Sequence, residues 1–305
     1  MRISRLTFWV VVLALALSSS AFAWGPATHT YIANQLQGPG EKPDQMYGAV
    51  TPDINLLLSA DAWSPYFQMT HHEFAVWNTS TSSDSKVMKA LAYGYTTHNE
   101  EWGADYTAHI HSLAYPEFAQ GGYVIKKSAE LCAVLQDAYG NQIPDGILTL
   151  DNCHFILEYG LDLMVKMRDP AIGAKVMQSA RHRSPQIAAL LVAAYPEVDP
   201  APKFGLPAGT TYGMEFAIVE PIWREKMIQY GDILMLPSDK ALPALAAFLN
   251  QMAHDLGVLP GQLDATQLIA GALGATTQIC APDFGPELKA TVANVALNLQ
   301  TNGVK

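Results

Sequence analysis

Seven of the nine histidines lie between His29 and His154, and several stand one helical turn from a carboxylate. No other feature constrains the chain as much, because imidazole and carboxylate cannot enter an apolar interior without a partner. The surrounding sequence is apolar: half of the 305 residues are hydrophobic and only 15% are charged. His154-Phe155-Ile156-Leu157-Glu158 shows the conflict most plainly, with His and Glu at i, i+4 inside an apolar helical run. A metal or a salt bridge is implied there. Asp105-x-x-x-His109 repeats the spacing, and His98 lies seven residues before Asp105, two turns back on one face if a single helix carries both. His71 and His72 are adjacent, so only one of them readily faces a given site. Each piece alone could be a surface ion pair; three together point to a metal centre. His182 and His254, on more polar stretches, are expected to be ordinary surface residues.

The high apolar content excludes disorder as the main state, and three cysteines are too few for a disulfide scaffold. A formal charge of −10 argues against a broad nucleic-acid-binding surface. The first 23 residues read as a signal peptide: Arg2 and Arg5, an apolar run from Leu6 to Leu17, and Ala21-Phe22-Ala23 in the small-x-small form. Cleavage there would start the mature chain at Trp24, take the charge to −12, and place the protein in a secreted or periplasmic setting. Cys132 and Cys153 could pair there and leave Cys280 over; three buried thiols are the alternative.

Helical spacing predicts an all-α chain, a multi-helix bundle joined by Pro/Gly-rich loops. A helix opens at Asp84, with that acid as its cap, and runs to His98; others cover 126–138, 148–168, 187–194, 214–230, 240–256, 266–273 and 286–299. Gly121 to Ile125 is the one short strand-like stretch. The loop from Pro196 to Gly213 suggests a division into residues 24–196 and a C-terminal helical segment, 197–305, packed on it.

In order, Trp24-Gly25-x-x-x-His29, Thr51-Pro52-Asp53, His71-His72, His98, Asp105-x-x-x-His109 and His154-x-x-x-Glu158 resemble the ligand series of the zinc-dependent phospholipase C superfamily, which includes the single-strand-specific zinc nucleases. Gly94-Tyr95-Thr96-Thr97-His98 and the Asp105 turn are also similar to the corresponding stretch of glycosylphosphatidylinositol phospholipase D. The resemblance covers Trp24 to Tyr159, about half of the mature chain. It implies an all-α fold with a zinc cluster of three ions, two at minimum. The first zinc would take Asp53, His71 or His72, His98 and one oxygen of Asp105. The second would take His109, His154 and Glu158. The third would take the α-amine and carbonyl of Trp24, His29 and the other oxygen of Asp105. One departure stands out: residues 99–104 separate His98 from Asp105 by two turns instead of one, so either one helix holds both or a bulge near Gly103 re-aims Asp105, with Glu100 and Glu101 as competing ligands. The long spacing from Asp53 to His72 suggests a loop with Trp63 and Tyr66 over the site.

The implied activity is phosphodiester hydrolysis by paired zincs about 3.5–4 Å apart, with Asp53 orienting or deprotonating the attacking water. A phospholipid head group is the leading substrate, with transient contact at a membrane surface. Single-strand nuclease activity is the runner-up, with nucleic acid the weaker partner, and a non-catalytic metal- or lipid-binding helical protein is the third reading. No obligate protein partner is evident.

Overall fold

The computed structural model describes residues 24–59, 61, 63–115, 118, 121–140, 143, 146–259, 261 and 263–305. The segment read as a leader lies outside the described residues. Among these residues the chain is all-helical, with a single isolated bridge between Val198 and Thr211 and no strand. The first half carries α1 (Pro26–Gln35), α2 (Lys42–Val50), α3 (Pro65–His71), α4 (Ala75–Thr81), α5 (Lys86–His98), α6 (Tyr123–Tyr139), α7 (Leu150–Arg168), α8 (Ile172–His182) and α9 (Gln186–Ala194). After the loop come α10 (Tyr212–Met235), α11 (Ser238–Asp255), α12 (Thr266–Cys280) and α13 (Phe284–Thr301). None of these helices is long and apolar enough to cross a membrane.

The helix starts follow hydroxyl capping. Ser85, not Asp84, caps α5: its Oγ accepts the amide of Met88 at 3.2 Å. Thr149 and Thr211 cap α7 and α10 in the same way. Tyr123 to Ile125 is not a strand but the first turn of α6, because Gly122 at φ 65° turns the chain into the helix. Helices α1 and α2 escape the hydrophobic pattern because they are buried on most sides. Thr28, His29 and Thr30 are as enclosed as Ala27 and Ile32, so α1 shows no apolar stripe.

Two glycine crossings set the packing. Where α2 meets α5, a Cβ on Gly94 would lie 1.9 Å from the Gln45 carbonyl oxygen, and one on Gly48 would lie 2.1 Å from that of Leu91. Gly173 of α8 and Gly231 of α10 form a second close approach. One apolar core runs from Trp24 to Val304, so 24–196 and 197–305 share an interior. Tyr47 of α2 donates to Glu220 of α10 at 2.7 Å, and Arg183 grips the same carboxylate with two N–H groups. The Cys132–Cys153 disulfide joins α6 to α7, and Cys280 is free and buried.

Candidate metal centre

The α2–α5 crossing is the foundation of the site. It brings the carbonyl of Ala49 against Nδ1 of His98, the last residue of α5, at 2.8 Å. The chain then turns from α2 into a 3-10 segment, Pro52–Leu57, which presents Asp53. Helix α3 ends at His71, whose ring lies 4.0 Å from Phe67 in a near-parallel stack. Helix α1 supplies His29, whose ring stacks on His98 at 3.8 Å.

Beyond His98 the helix stops. Asn99 Oδ1 accepts the amides of Glu101, Trp102 and Gly103. Gly103 lies so close to Asn99 that a Cβ would be 2.6 Å from its carbonyl oxygen. The seven-residue spacing is therefore not one continuous helix; a tight turn re-aims Asp105, and a π-helical segment, Tyr106–Ile110, then carries His109.

Two groups of side chains result. In the first, the Asp105 oxygens divide: Oδ1 lies 3.2 Å from His29 Nε2, while Oδ2 lies 2.9 Å from His98 Nε2 and 3.7 Å from His71 Nε2. Asp53 Oδ1 joins them at 3.3 Å from His98 and 3.7 Å from His71. In the second, His109 Nε2 is 3.1 Å from His154 Nε2, which is 2.6 Å from Glu158 Oε1. His29–Asp53–His98, His71–His98–Asp105 and His109–His154–Glu158 each place their ligand atoms within 4.8 Å of one another.

The hydrogen-bond partners of the outer nitrogens reveal what the inner ones want. His98 Nδ1 faces a carbonyl, which can only accept, so it carries the hydrogen. His71 Nδ1 donates to Thr70 Oγ1 at 2.7 Å, since that hydroxyl spends its own hydrogen on the carbonyls of Tyr66 and Phe67. His109 Nδ1 donates to the Glu100 carboxylate. When neutral, His71 and His98 therefore turn bare Nε2 lone pairs toward each other at 3.2 Å. Lone pair against lone pair is repulsive without a proton or a cation between them. Two nitrogens on one tetrahedral zinc, at ~2.0–2.1 Å bond length, stand roughly 3.3 Å apart.

The carboxylates make the same point. Both oxygens of Asp53, Asp105 and Glu158, and both nitrogens of His29, are buried without a hydrogen-bond partner, although imidazole nitrogens crowd some of them. Burial alone would raise Asp105, but the His98 and His29 rings outweigh it and hold the carboxyl well below its usual range. Burial likewise works against a charged His98, yet Asp105 and Asp53 lift it well above the ordinary imidazole value. Glu158 is pushed up by burial first, then by the charges of Asp53 and Asp105, so the two groups adjoin. One proton on His98 serves one carboxylate; three carboxylates and the bare imidazoles call for more positive charge. Imidazole nitrogen and carboxylate oxygen are the donor set zinc accepts, so the residues fit the ion.

His72 is not part of either group. It is the C-cap residue of α3, and its ring turns outward to Glu100 at 3.2 Å and Glu101 at 2.9 Å. Glu100, expected as a competing ligand, instead bridges His109 and His72 from behind, the outer-shell position that fixes the ring of a ligand. Nothing in its spacing marks this, because it depends on the turn after His98. The Trp24 indole donates to the Ala104 carbonyl at 2.8 Å and stacks on Tyr123, so any ligation by Trp24 falls to its backbone. Tyr66 does not cover the site: its hydroxyl is buried against Asp199 and Glu215, and Trp63 is 81% exposed. His182 is at the surface, whereas His254 is half-buried and bonded to the Leu263 carbonyl.

Comparisons with family models, curated proteins and solved structures return no match to this chain.

Proposed function

We propose that this chain is an exported zinc-dependent phosphodiester hydrolase of the phospholipase C type, acting on phospholipid head groups. The observation that carries the reading is the divided Asp105 carboxylate, one oxygen toward His29 and the other toward His71 and His98, beside the separate His109–His154–Glu158 group. This is the partition implied by the resemblance to the zinc-dependent phospholipase C superfamily. Zinc held there would supply Lewis-acid polarisation of the phosphoryl group and acidify water.

The chain's own residues do the rest. Asp53, buried and with both oxygens unbonded, orients the attacking water and takes its proton. Asp105 holds two ligand shells in register, and Glu100 fixes the His109 ring so that Nε2 faces inward. His109 is the most open of the ligand side chains, at 11% exposure, so the substrate reaches the centre from its side. Ile110 and Leu113, which follow it, are exposed apolar residues suited to a lipid surface. They favour a phospholipid over a polyanionic strand.

The test is metal analysis with product identification. Metal-loaded mature protein would be assayed on phosphatidylcholine micelles, single-stranded DNA and a small phosphodiester. The expected result is head-group release from the micelles; preferential cleavage of DNA would move the assignment to the nucleases, and no hydrolysis at any metal load would leave a binding protein. His154→Ala and Glu158→Ala should each lose about one zinc with helix content retained, while His182→Ala keeps the full complement. A chain keeping even one residue before Trp24 should bind fewer zincs, because a peptide nitrogen is a poor ligand.

A further inference from the structure

Lined by none of these ligands, a groove of about 680 Å³ lies between α1 and α13, closed at one end by the tail of α7. Its size is that of a small-molecule site. Leu288, Val292, Ala296 and Leu299 recur along α13 at helical spacing and form one wall, completed by Leu36 and Val304. Leu288, Leu299, Leu36 and Val304 are nearly closed off from solvent and form the floor.

The charge around this floor is unlike that of the rest of the molecule. The chain carries 28 acidic and 18 basic residues, yet the groove is lined by Arg168, Lys289 and Lys305 and by no Asp or Glu. The acids nearest in sequence are committed to other contacts. Glu287 accepts from Ser112, Leu113 and Ala114, and Asp283 from Tyr123 and Lys127. Arg168 is held at the start of α13, its guanidinium over the Phe284 ring and in the space a side chain at Gly285 would fill. Two cations, Arg168 and Lys289, thus share the end of the groove near Gly285. From Leu288 to Leu299 the apolar wall runs about 16 Å at ~1.5 Å per residue.

We propose that this groove binds a single-chain anionic amphiphile, a long-chain fatty carboxylate, with its head group between Arg168 and Lys289 and its tail along the α13 wall. A charged head and an unbranched apolar tail match the two halves of the lining, and neither a sugar nor a nucleotide would use the apolar wall. The site does not rest on the hydrolase reading, since none of its residues belongs to the metal centre.

The test is calorimetric titration of the full mature chain with oleate below its critical micelle concentration, with oleyl alcohol as the uncharged probe. Saturable one-to-one binding of oleate is expected, with oleyl alcohol roughly tenfold weaker or worse. Arg168→Ala with Lys289→Ala should cost oleate about tenfold and leave oleyl alcohol unchanged. Ala296→Trp, at an exposed position, should block both while zinc content and circular dichroism stay as in the parent. Absence of saturable binding, or binding indifferent to these substitutions, would overturn the proposal. So would tighter binding of an acidic amphipathic peptide than of oleate, which would make the groove a protein-docking surface.

Discussion

Glu158 and Asp162 stand one turn apart on α7, and both are fully buried. Asp162 is saturated: it accepts from the amides of Ala27 and Thr28, the hydroxyl of Thr28 and that of Tyr230, all within 2.8 Å. In this way it caps α1 from across the core. Glu158 has no hydrogen-bond partner on either oxygen. The contrast extends through the molecule, with Glu220 and Glu287 fully supplied with N–H and O–H donors, whereas Asp53 and Asp105 face only imidazole nitrogens. Burial does not separate the two kinds, because all six are equally enclosed. The donor inventory does. A buried carboxylate ringed by N–H and O–H groups holds the fold together, and one ringed by imidazole nitrogens could hold a cation.

Substituting Asp105 should break this comparison most visibly. Asp105→Asn is expected to release metal and lower phosphodiester hydrolysis roughly a thousandfold, from the several kcal/mol that Lewis-acid stabilisation supplies. The metal-free variant should also unfold at a lower denaturant concentration than the metal-free parent, because the Asp105 charge that faces the protonated His98 has been removed. Full metal retention in Asp105→Asn would place Asp105 with the structural carboxylates.

Asp162→Ala should do the reverse. It strands four donors, so unfolding free energy should fall by about 2–4 kcal/mol in urea titration, while the folded fraction keeps its zinc stoichiometry. Zinc loss equal to that of Asp105→Asn would erase the distinction between the two carboxylates of α7.

Glu100 lies between the classes, since it accepts from a candidate ligand instead of ligating. Burial would raise its carboxyl, but His109 and His72 outweigh that and hold it well below its ordinary value. Glu100→Gln should weaken zinc at the His109 group by roughly 10–100-fold, read by chelator competition, with full occupancy recovered at high zinc. An unchanged affinity would remove Glu100 from the outer shell.

The smallest effect concerns a carboxyl pair formed between the loop, at Asp199, and the first turn of α10, at Glu215. Tyr66 has one hydroxyl hydrogen but faces Asp199 at 2.6 Å and Glu215 at 3.0 Å, so the second carboxyl must bring its own proton. Burial and then the Asp199 charge raise Glu215; on Asp199, burial is outweighed by the Tyr66 hydroxyl and the Ala201 amide, which lower it. The backbone amide of Lys203 and the rings of Tyr212 and Phe216 complete the surroundings. A raised Glu215 means that the folded state keeps a proton the unfolded state gives up. Its contribution is complete below the ordinary glutamate value and is lost as pH rises through the folded one. Thermal stability of the parent should therefore decline more than that of Glu215→Gln as pH rises above the ordinary glutamate value. Parallel pH profiles would show that the pair shares no proton.

Much of this was legible in the sequence, and the parts that were not share a cause. The His154–Glu158 turn could be read because both ligands come from one helix, where spacing is geometry. The choice between His71 and His72 depended on where α3 ends, and a cap residue at φ −115° is invisible to periodicity. Asp105 lies beside His29, His71 and His98, but the means of its turning is the Asn99 side chain, which accepts the amides of Glu101 to Gly103, and a π segment, which no apolar pattern encodes. The α-helical class was plain from the long segments, whereas α1 and α2, enclosed on most sides, lacked the alternation that would have marked them. The saturating donors of Asp162 come from α1 and α10, far away along the chain, so the sequence could not tell that residue from Glu158.

Gly48 and Gly94 are what lets α2 and α5 touch. Gly48 precedes Asp53 by five residues and Gly94 precedes His98 by four, so each lies about one turn from a candidate ligand. Even an added methyl group at either position would push the helices apart and carry Asp53 away from His98. The pair therefore acts as a written dimension of the site, a backbone spacing recorded in two letters of sequence. A distant relative that kept the same centre could exchange most of its surface and core, yet it would have to retain both absences of a side chain. Searching for glycine five before an aspartate and four before a histidine would then find such relatives where overall similarity has worn away.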